Sequence, residues 1–488
     1  MPSLHAIYSI NNKITIFKTI DAMIFPTITT TAAKQNLSLL WPHILAPTTF
    51  LLLFSIPPFA PRQPLYLTAI ISLFYLCFFS SDNNLNSHIR LALALPWMFY
   101  LDWATKMVLH HLPEHDFWPV TASDAQINGN IKKFRRQSTG NGHHHQPQSP
   151  PIPQGWKPRL AWAIGLLSSP RGVGWNFQLS TPDLPPETKN AAMGRWRFVI
   201  RQTCRVVGFI VLSELISATM MMMQLLMTEN ECSKSQDHYD FSWGNGLMEM
   251  VGAWMTSWNW RRTLLVPLVA MKRWSDLEAQ YAGLNAVYVG AGLVEVKVCR
   301  PLFGDDLTSL DSLREFWGQF WPQSSRRMFQ DFGRTACRIL RIHPHSELSW
   351  HVHIWVAFII AGLVHGFAFG YALSGNGDAD GVLNKNFRAI LTFFILQAVG
   401  LSVETLFLDT PVKDLTLYES GLQDEMMMGR IWTWGWLLFT GHYALDSWLQ
   451  VAAADKPRLL PALVGLLSTT NQSRLGRYLA GDGGLLEL

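Results

Sequence analysis

Long apolar runs, separated by polar stretches, dominate the chain. Nine of them are roughly 16 to 24 residues long, and a helix needs about 20 residues to cross the hydrocarbon core of a bilayer. Each run is continuously apolar and does not alternate with period two, which is the pattern of spanning helices. The sequence therefore predicts an all-α, multispanning transmembrane helical protein with about 8–9 spans. The runs are residues 39–57, 64–79, 89–109, 206–227, 248–271, 281–298, 354–373, 390–408 and 431–453.

Two of these runs leave the number of spans open. Arg261 and Arg262 interrupt the run 248–271, which is therefore either re-entrant or made of two interfacial pieces. The run 64–79 is short, and a further apolar stretch at 459–467 is too short to span.

Composition supports the membrane prediction and excludes other classes. Only 15% of the residues are charged, whereas soluble domains carry about 25%. Many of the 21 Trp and 28 Phe residues lie near the ends of apolar runs, where interfacial aromatic residues are common. The net charge of +4 is too small to indicate nucleic-acid binding, and the five scattered cysteines form no Cys-x-x-Cys pair. We therefore expect the lipid bilayer as a partner, no nucleic acid, no metal and no disulfide framework.

The runs divide the chain into five parts. No compact apolar core followed by a cleavage site precedes the first span, so we expect no cleavable signal peptide. The connection after the third run is rich in Pro, Gln, Gly and His, which predicts a disordered linker, and its basic residues place it on the cytosolic side. The parts are an N-terminal segment (1–35), a first group of spans (36–115), a polar connection (116–200) with the linker near 132–158, a membrane core (201–455) and a tail (456–488).

Simple alternation of spans then puts residues 299–353 on the far side of the membrane. Such a placement would conflict with a role of residues 299–353 in binding a molecule that arrives from the cytosol. Either the run 248–271 does not span, or part of 299–353 dips back into the membrane; both alternatives stay open at this stage.

His365 lies inside the apolar run 354–373. A titratable side chain at membrane depth is costly and is therefore a functional-site hypothesis. On a helix its neighbours three and four residues away include Ala361, Gly362 and Ala368, and such small residues either allow close helix packing or leave volume for a substrate. One reading is a core histidine bonded to a neighbouring helix. The other is a general base, for which the ordinary histidine pKa of about 6.5 is suitable.

An aromatic block precedes this run. Phe316, Trp317, Phe320 and Trp321 stand at helical spacing and would form one broad face. Taken alone, this aromatic pattern predicts an interfacial amphipathic helix.

The order of three motifs resembles the wax-synthase-like branch of the membrane-bound O-acyltransferase family. The motifs are Pro-x-Phe-Gly at 301–304, Ser-x-Arg-x-Phe-Trp-Gly-x-x-Trp at 312–321, and Ala-Gly-Leu-x-His at 361–365. An earlier Arg-Gly-x-Gly-Trp segment at 171–175 is similar to fungal members, among them acetyltransferases of secondary-metabolite and terpenoid biosynthesis. The resemblance covers roughly residues 162 to 448.

This resemblance implies that His365 is the general base acting on an acceptor hydroxyl. It further implies an endoplasmic-reticulum enzyme that moves an acetyl group from acetyl-CoA (or another acyl-CoA), a co-substrate rather than a bound cofactor, to a hydrophobic alcohol such as a terpenoid. Arg314, Arg326 and Arg327 are candidates for the phosphates of CoA, or else interfacial anchors with snorkelling side chains. The candidate motif or substrate-binding residues are Arg314, Phe316, Trp317, Gly318, Trp321, Gln323 and Gly362.

The chain departs from the family at Pro322, where the pattern usually has His or Asn. Gln323, His351 or His353 could replace that polar group, or the chain is impaired or inactive. Two other functions stay open. One is a long-chain wax or sterol ester synthase; the other, from a different class, is a transporter of a hydrophobic metabolite, although no internal repeat supports it.

Overall fold

The computed structural model describes thirteen α-helices, two short turns of π- and 3-10 helix, and the connections between them. The described residues are 30–59, 62–79, 87–110, 112–119, 155–169, 172, 175–177, 193–225, 260–296, 299–304, 307, 310–344, 346–374, 384–408 and 422–454. Most of the N-terminal segment, most of the predicted linker with its basic cluster, residues 248–259, and the C-terminal tail with the stretch 459–467 lie outside them. Within the described residues the regular elements are helical, as predicted.

The helices are α1 Thr30–Ser55, α2 Arg62–Phe79, α3 Ser87–Ala94, α4 Trp97–Val108, α5 Pro113–Asp116, α6 Trp156–Leu167, α7 Arg195–Leu225, α8 Trp260–Gly290, α9 Leu313–Glu315, α10 Arg326–Ile339, α11 Glu347–Leu373, α12 Lys385–Leu408 and α13 Leu422–Ala454. A π-helical turn, Phe316–Phe320, directly continues α9.

Four of the described helices are long and apolar enough to cross a bilayer. They are Arg62–Phe79, Arg195–Gln224, Glu347–Leu373 and Lys385–Leu406. The chain is therefore a helical membrane protein. The count of eight to nine spans goes beyond these four and stays a prediction.

The runs 248–271 and 281–298 do not form separate helices in the described part. Helix α8 passes through the polar stretch between them and ends at Gly290. The charges in this stretch do not break the helix because α7 supplies partners for them. Lys272 Nζ lies 2.9 Å from Ser213 Oγ, and Asp276 accepts a hydrogen bond from the same hydroxyl at 2.6 Å.

The run 89–109 is also divided, into α3 and α4. Pro96 precedes α4 and has no N–H with which to continue the hydrogen bonding of α3. The two helices have 8 and 12 residues, and each is too short to cross a bilayer alone.

Helices α11 and α12 form an antiparallel pair. The Trp355 indole N–H donates to Ser402 Oγ at 3.2 Å near one end of the pair, and Gly366 faces Phe387 near the other. Helix α13 packs on α12, where Ser447 Oγ donates to Asn386 Oδ1 at 3.0 Å. Helix α8 packs on α13, and α7 packs on α8.

The N-terminal helices are joined by an ion triad. Arg62 donates both of its terminal nitrogens to the Glu114 carboxylate at 2.9 Å, and Arg159 donates to the same carboxylate at 2.8 Å. Burial alone would raise the pKa of Glu114, but the hydrogen bonds from the two arginines outweigh it and hold the pKa below its ordinary value. The triad therefore fixes α2, α5 and α6 to one another through a buried charge.

Candidate active site

The aromatic block begins at a capped helix start. Ser312 Oγ accepts the N–H of Glu315 at 3.1 Å, and the Glu315 carboxylate accepts the N–H of Asp311 at 2.9 Å. Glu404 of α12 accepts the N–H groups of Leu313 and Arg314 at 2.7 and 3.2 Å. The sequence Ser-Leu-Arg-Glu is close to a capping box, a signal that sequence reasoning missed.

The block then turns through the π-helical segment. The Trp321 N–H donates to the Phe316 carbonyl at 2.8 Å, and Trp321 itself is extended, the conformation favoured before a proline. The Gly304 N–H donates to the Phe320 carbonyl at 2.9 Å, and a Cβ at Gly304 would lie 3.0 Å from that backbone. The first two motifs, 301–304 and 312–321, therefore meet in space.

Trp317 carries this segment into the helix bundle. Its ring centroid lies 5.4 Å from that of Phe358 on α11 and 6.5 Å from that of Phe394 on α12. Its indole N–H donates to Gln397 Oε1 at 3.3 Å. These partners lie in the middle of apolar helices, so the contacts favour the alternative in which part of 299–353 inserts between the spans.

His365 lies on α11 with one ring nitrogen already engaged. Nδ1 lies 2.8 Å from the carbonyl oxygen of Ala361, one turn earlier. A carbonyl only accepts, so Nδ1 carries the proton and Nε2 of the neutral ring is an acceptor. No residue in the described part of the chain hydrogen-bonds to Nε2. The imidazole is half-buried, and the Phe394 ring covers it at 4.9 Å between centroids with a tilt of 35°.

The small residues beside His365 serve helix packing. A Cβ at Gly362 would lie 2.8 Å from the Leu391 side chain and 3.1 Å from Cβ of Phe394. A Cβ at Gly366 would lie 3.0 Å from the Phe387 carbonyl oxygen. For Gly362, one of the small neighbours predicted either to allow close packing or to leave volume for a substrate, the structure supports close packing.

Gln323 closes the turn after Pro322. Its buried amide donates to the carbonyl oxygens of Trp317 at 3.0 Å and Trp321 at 2.5 Å. Among the described residues, no contact joins Gln323 to His365. The hydrogen bonds of Gln323 indicate instead that it stabilises the backbone of the motif.

The other polar candidates also have structural partners. Arg314 is exposed, donates to Thr405 Oγ1 at 3.2 Å and lies over the Trp350 ring. Gly318 accepts a hydrogen bond from Arg326 at 3.2 Å through its carbonyl oxygen.

Arg327 forms an ion pair with Asp331 at 3.2 Å. His353 donates from Nδ1 to the Ser349 carbonyl at 2.7 Å and packs against Gly333 of α10.

Sequence reasoning missed several polar and aromatic residues on α12 and α13. Phe394 and Gln397 could not be found because their position depends on how α12 packs against α11. His442 could have been found, since it lies inside the run 431–453 just as His365 lies inside its own run. Its Nε2 lies 3.4 Å from Thr263 Oγ1 and its Nδ1 lies 2.7 Å from the Leu438 carbonyl.

Comparison with known proteins matches residues 299–396 to the membrane bound O-acyl transferase family. Acetyltransferase eriL of Hericium erinaceus is 26% identical over 61% of this chain and 68% of its own length. Acetyltransferase sirH of Emericella nidulans is 25% identical over 42% of this chain and 43% of its own length. Acetyltransferase ataH of Aspergillus terreus is 29% identical over 33% of this chain and 50% of its own length. No solved structure matches.

The matched residues include the segment that carries Trp317, the helix that carries His365, and the part of α12 that carries Phe394. An O-acyl transferase needs an acyl donor and an alcohol acceptor. These matches show that this chain is an acyltransferase, similar over residues 299–396 to the membrane bound O-acyl transferase family.

Proposed function

We propose that this chain transfers the acetyl group of acetyl-CoA to a hydroxyl of a hydrophobic secondary metabolite such as a terpenoid. His365 is the general base. The observation that carries this assignment is the bond from Nδ1 to Ala361, which leaves the Nε2 lone pair available for a proton. The three relatives above are all named acetyltransferases, which supports acetyl as the group transferred.

The chemistry needs one base and no covalent enzyme intermediate. Nε2 of His365 takes the proton of the acceptor hydroxyl while the hydroxyl oxygen attacks the thioester carbonyl carbon. The resulting tetrahedral intermediate collapses, the carbon–sulfur bond breaks, and the CoA thiolate receives the proton from the imidazolium. The products are the acetyl ester and free CoA, and His365 is neutral again.

The surroundings of His365 suit an apolar acceptor. Phe394 covers the imidazole, and Trp317 and Phe358 contact each other nearby. Rings of this kind bind apolar surface and exclude water from the reacting atoms. The multispanning character is consistent with residence in the endoplasmic reticulum, where both a lipid-soluble alcohol and cytosolic acetyl-CoA are accessible.

The motif residues divide into two proposed roles. Trp317 lines the site, while Phe316, Gly318, Trp321, Gln323 and Gly362 hold the segment and the helices in place. Arg314 is the best candidate for the CoA phosphates because it is exposed and cationic.

An acyl-transfer assay with matched histidine variants tests the proposal. Microsomes carrying the chain are incubated with acetyl-CoA or palmitoyl-CoA and a panel of terpenoid and long-chain alcohols. We expect an acetyl ester from the wild type, its loss in His365→Ala, and its retention in His442→Ala, which removes a buried histidine that is bonded on both ring nitrogens. An undiminished yield from His365→Ala would disprove the role of His365, and palmitoyl esters alone would indicate a wax synthase.

A further inference from the structure

A fully buried amide lies behind Trp317. Gln397 of α12 accepts the Trp317 indole N–H through Oε1 at 3.3 Å. Its Nε2 donates to Thr440 Oγ1 at 2.9 Å and to the Phe393 carbonyl at 3.1 Å. Both ends of the amide are therefore engaged, and rotating it by half a turn would place two N–H donors against each other. In an apolar bundle such a group is retained only when its bonds are satisfied.

Two rings, Trp317 and Phe394, connect this amide to the catalytic histidine, and Phe358 packs against Trp317. Trp317 contacts Phe358 and Phe394, and Phe394 lies on the His365 imidazole. Gly362 allows Phe394 this close approach, since a Cβ there would meet it at 3.1 Å. We call Trp317, Phe358 and Phe394 the aromatic wall.

Building on the proposed function, we propose that the aromatic wall limits the acyl group to a short chain and that Gln397 is the positioning residue that holds the wall in place. The acyl carbonyl must lie within about 3–3.5 Å of the hydroxyl oxygen that is bound at Nε2. The remainder of the acyl chain then starts within a few ångströms of the Phe394 ring. An acetyl group ends there, whereas a longer chain must pass or displace the ring.

Displacing the wall is unfavourable because the rings are coupled to the buried amide. Moving Phe394 outward presses on Trp317, whose indole is bonded to Gln397. Breaking that bond would leave the buried Gln397 oxygen and the partly buried Trp317 N–H unsatisfied. The hydrogen bonds of Gln397 therefore stabilise the position of the aromatic wall, in addition to the packing of its rings.

The test measures the ratio of octanoyl to acetyl transfer, with octanoyl-CoA and acetyl-CoA as competing donors. General damage to the fold lowers both rates and leaves this ratio unchanged. We expect Phe394→Ala to raise the ratio by about tenfold or more, since a few methylene groups in a pocket discriminate by such factors, and Gln397→Leu to raise it by a smaller factor. Ser402→Ala is the matched control: it removes another indole bond between α11 and α12, that of Trp355, away from His365.

Several results would overturn this inference. One is that the Phe394→Ala and Gln397→Leu variants still use acetyl-CoA and show the same ratio of octanoyl to acetyl transfer as the wild type. Another is loss of transfer from both donors in folded Phe394→Leu and Gln397→Met variants, because the rings would then be needed for the chemistry itself. A wild-type enzyme that prefers octanoyl-CoA while still requiring His365 would overturn the length limit alone. Acetyl transfer that survives His365→Ala would instead count against the proposed function.

Discussion

The carboxylate of Glu404 accepts the backbone N–H of Leu313 at 2.7 Å, across 91 residues of chain. This bond fixes the start of the aromatic segment to α12, the helix that also carries Phe394 and Gln397. The position of Trp317 relative to His365 thus depends on a group that contacts neither of them.

We expect Glu404→Ala to lower activity strongly while the chain stays in the membrane fraction. Each bond from a backbone N–H to a buried carboxylate contributes about 1.5–3 kcal/mol, and the variant loses two. Glu404→Gln keeps one acceptor oxygen and should show a smaller loss. Acetyl transfer and the thermal unfolding midpoint in detergent measure both effects. Equal activity of the Ala variant and the wild type would show that the segment is held in place without this anchor.

The fold class could be predicted from the apolar runs, but helix boundaries depended on contacts that the sequence does not display. From the sequence, the charged residues Lys272 and Asp276 predict the end of a span. The structure shows that both lie within the continuous helix α8, where Ser213 of α7 hydrogen-bonds to each of them. His365 could be proposed because it is a titratable group inside an apolar run and also ends the Ala-Gly-Leu-x-His motif at 361–365. Phe394 and Gln397 could not, since many apolar or amide residues in a span look alike until the register of α11 against α12 is known.

A second prediction concerns Asp331, which lies outside the apolar spans. Burial alone would raise the pKa of its carboxyl, but His110, whose Nε2 lies 3.6 Å from Asp331 Oδ2, and the charge of Arg327 outweigh burial and hold the pKa below its ordinary value. The native state therefore favours the ionised form. This contribution to stability is complete above the unfolded pKa of about 3.9 and is lost as the pH falls through the lower folded pKa.

We accordingly expect the thermal midpoint of the wild type to fall as the pH drops below about 4. Asp331→Asn should be less stable at pH 7 and lose part of that acid dependence. Asp116→Asn is the control, because Asp116 also contacts His110, at 2.7 Å, but is 46% exposed. If the two variants shift the thermal midpoint equally, the burial of Asp331 is not the cause of its contribution to stability.

A third prediction concerns the ion triad of the N-terminal helices. Glu114→Gln leaves Arg62 and Arg159 buried without a compensating charge. Breaking a buried ion pair in this way costs about 3–5 kcal/mol of unfolding free energy. The loss should appear as a lower thermal midpoint, whereas Glu347→Gln, on the exposed first turn of α11, should change it little. A Glu114→Gln variant with the wild-type midpoint would contradict the role of the triad.

The departure from the family pattern at Pro322 gives the last prediction. Pro322 follows the extended Trp321, and the turn beyond it is closed by the Gln323 amide, which donates to two carbonyl groups of the motif. The turn therefore depends on Gln323 more than on the ring of the proline. We expect Pro322→His to retain activity, with a stability loss of about 0.4–1 kcal/mol from the freer unfolded chain.

Gln323→Ala should by contrast lower activity about ten- to hundredfold, since small misplacements of a positioning segment have effects of that size. Gln323→Glu is the informative companion: its carboxylate cannot donate to the carbonyl oxygens of Trp317 and Trp321, so it should fail like the Ala variant although its size is conserved. Rates of acetyl transfer at saturating acetyl-CoA compare the three. Complete inactivity of Pro322→His together with full activity of Gln323→Ala would reverse the assignment and make the proline the residue on which this turn depends.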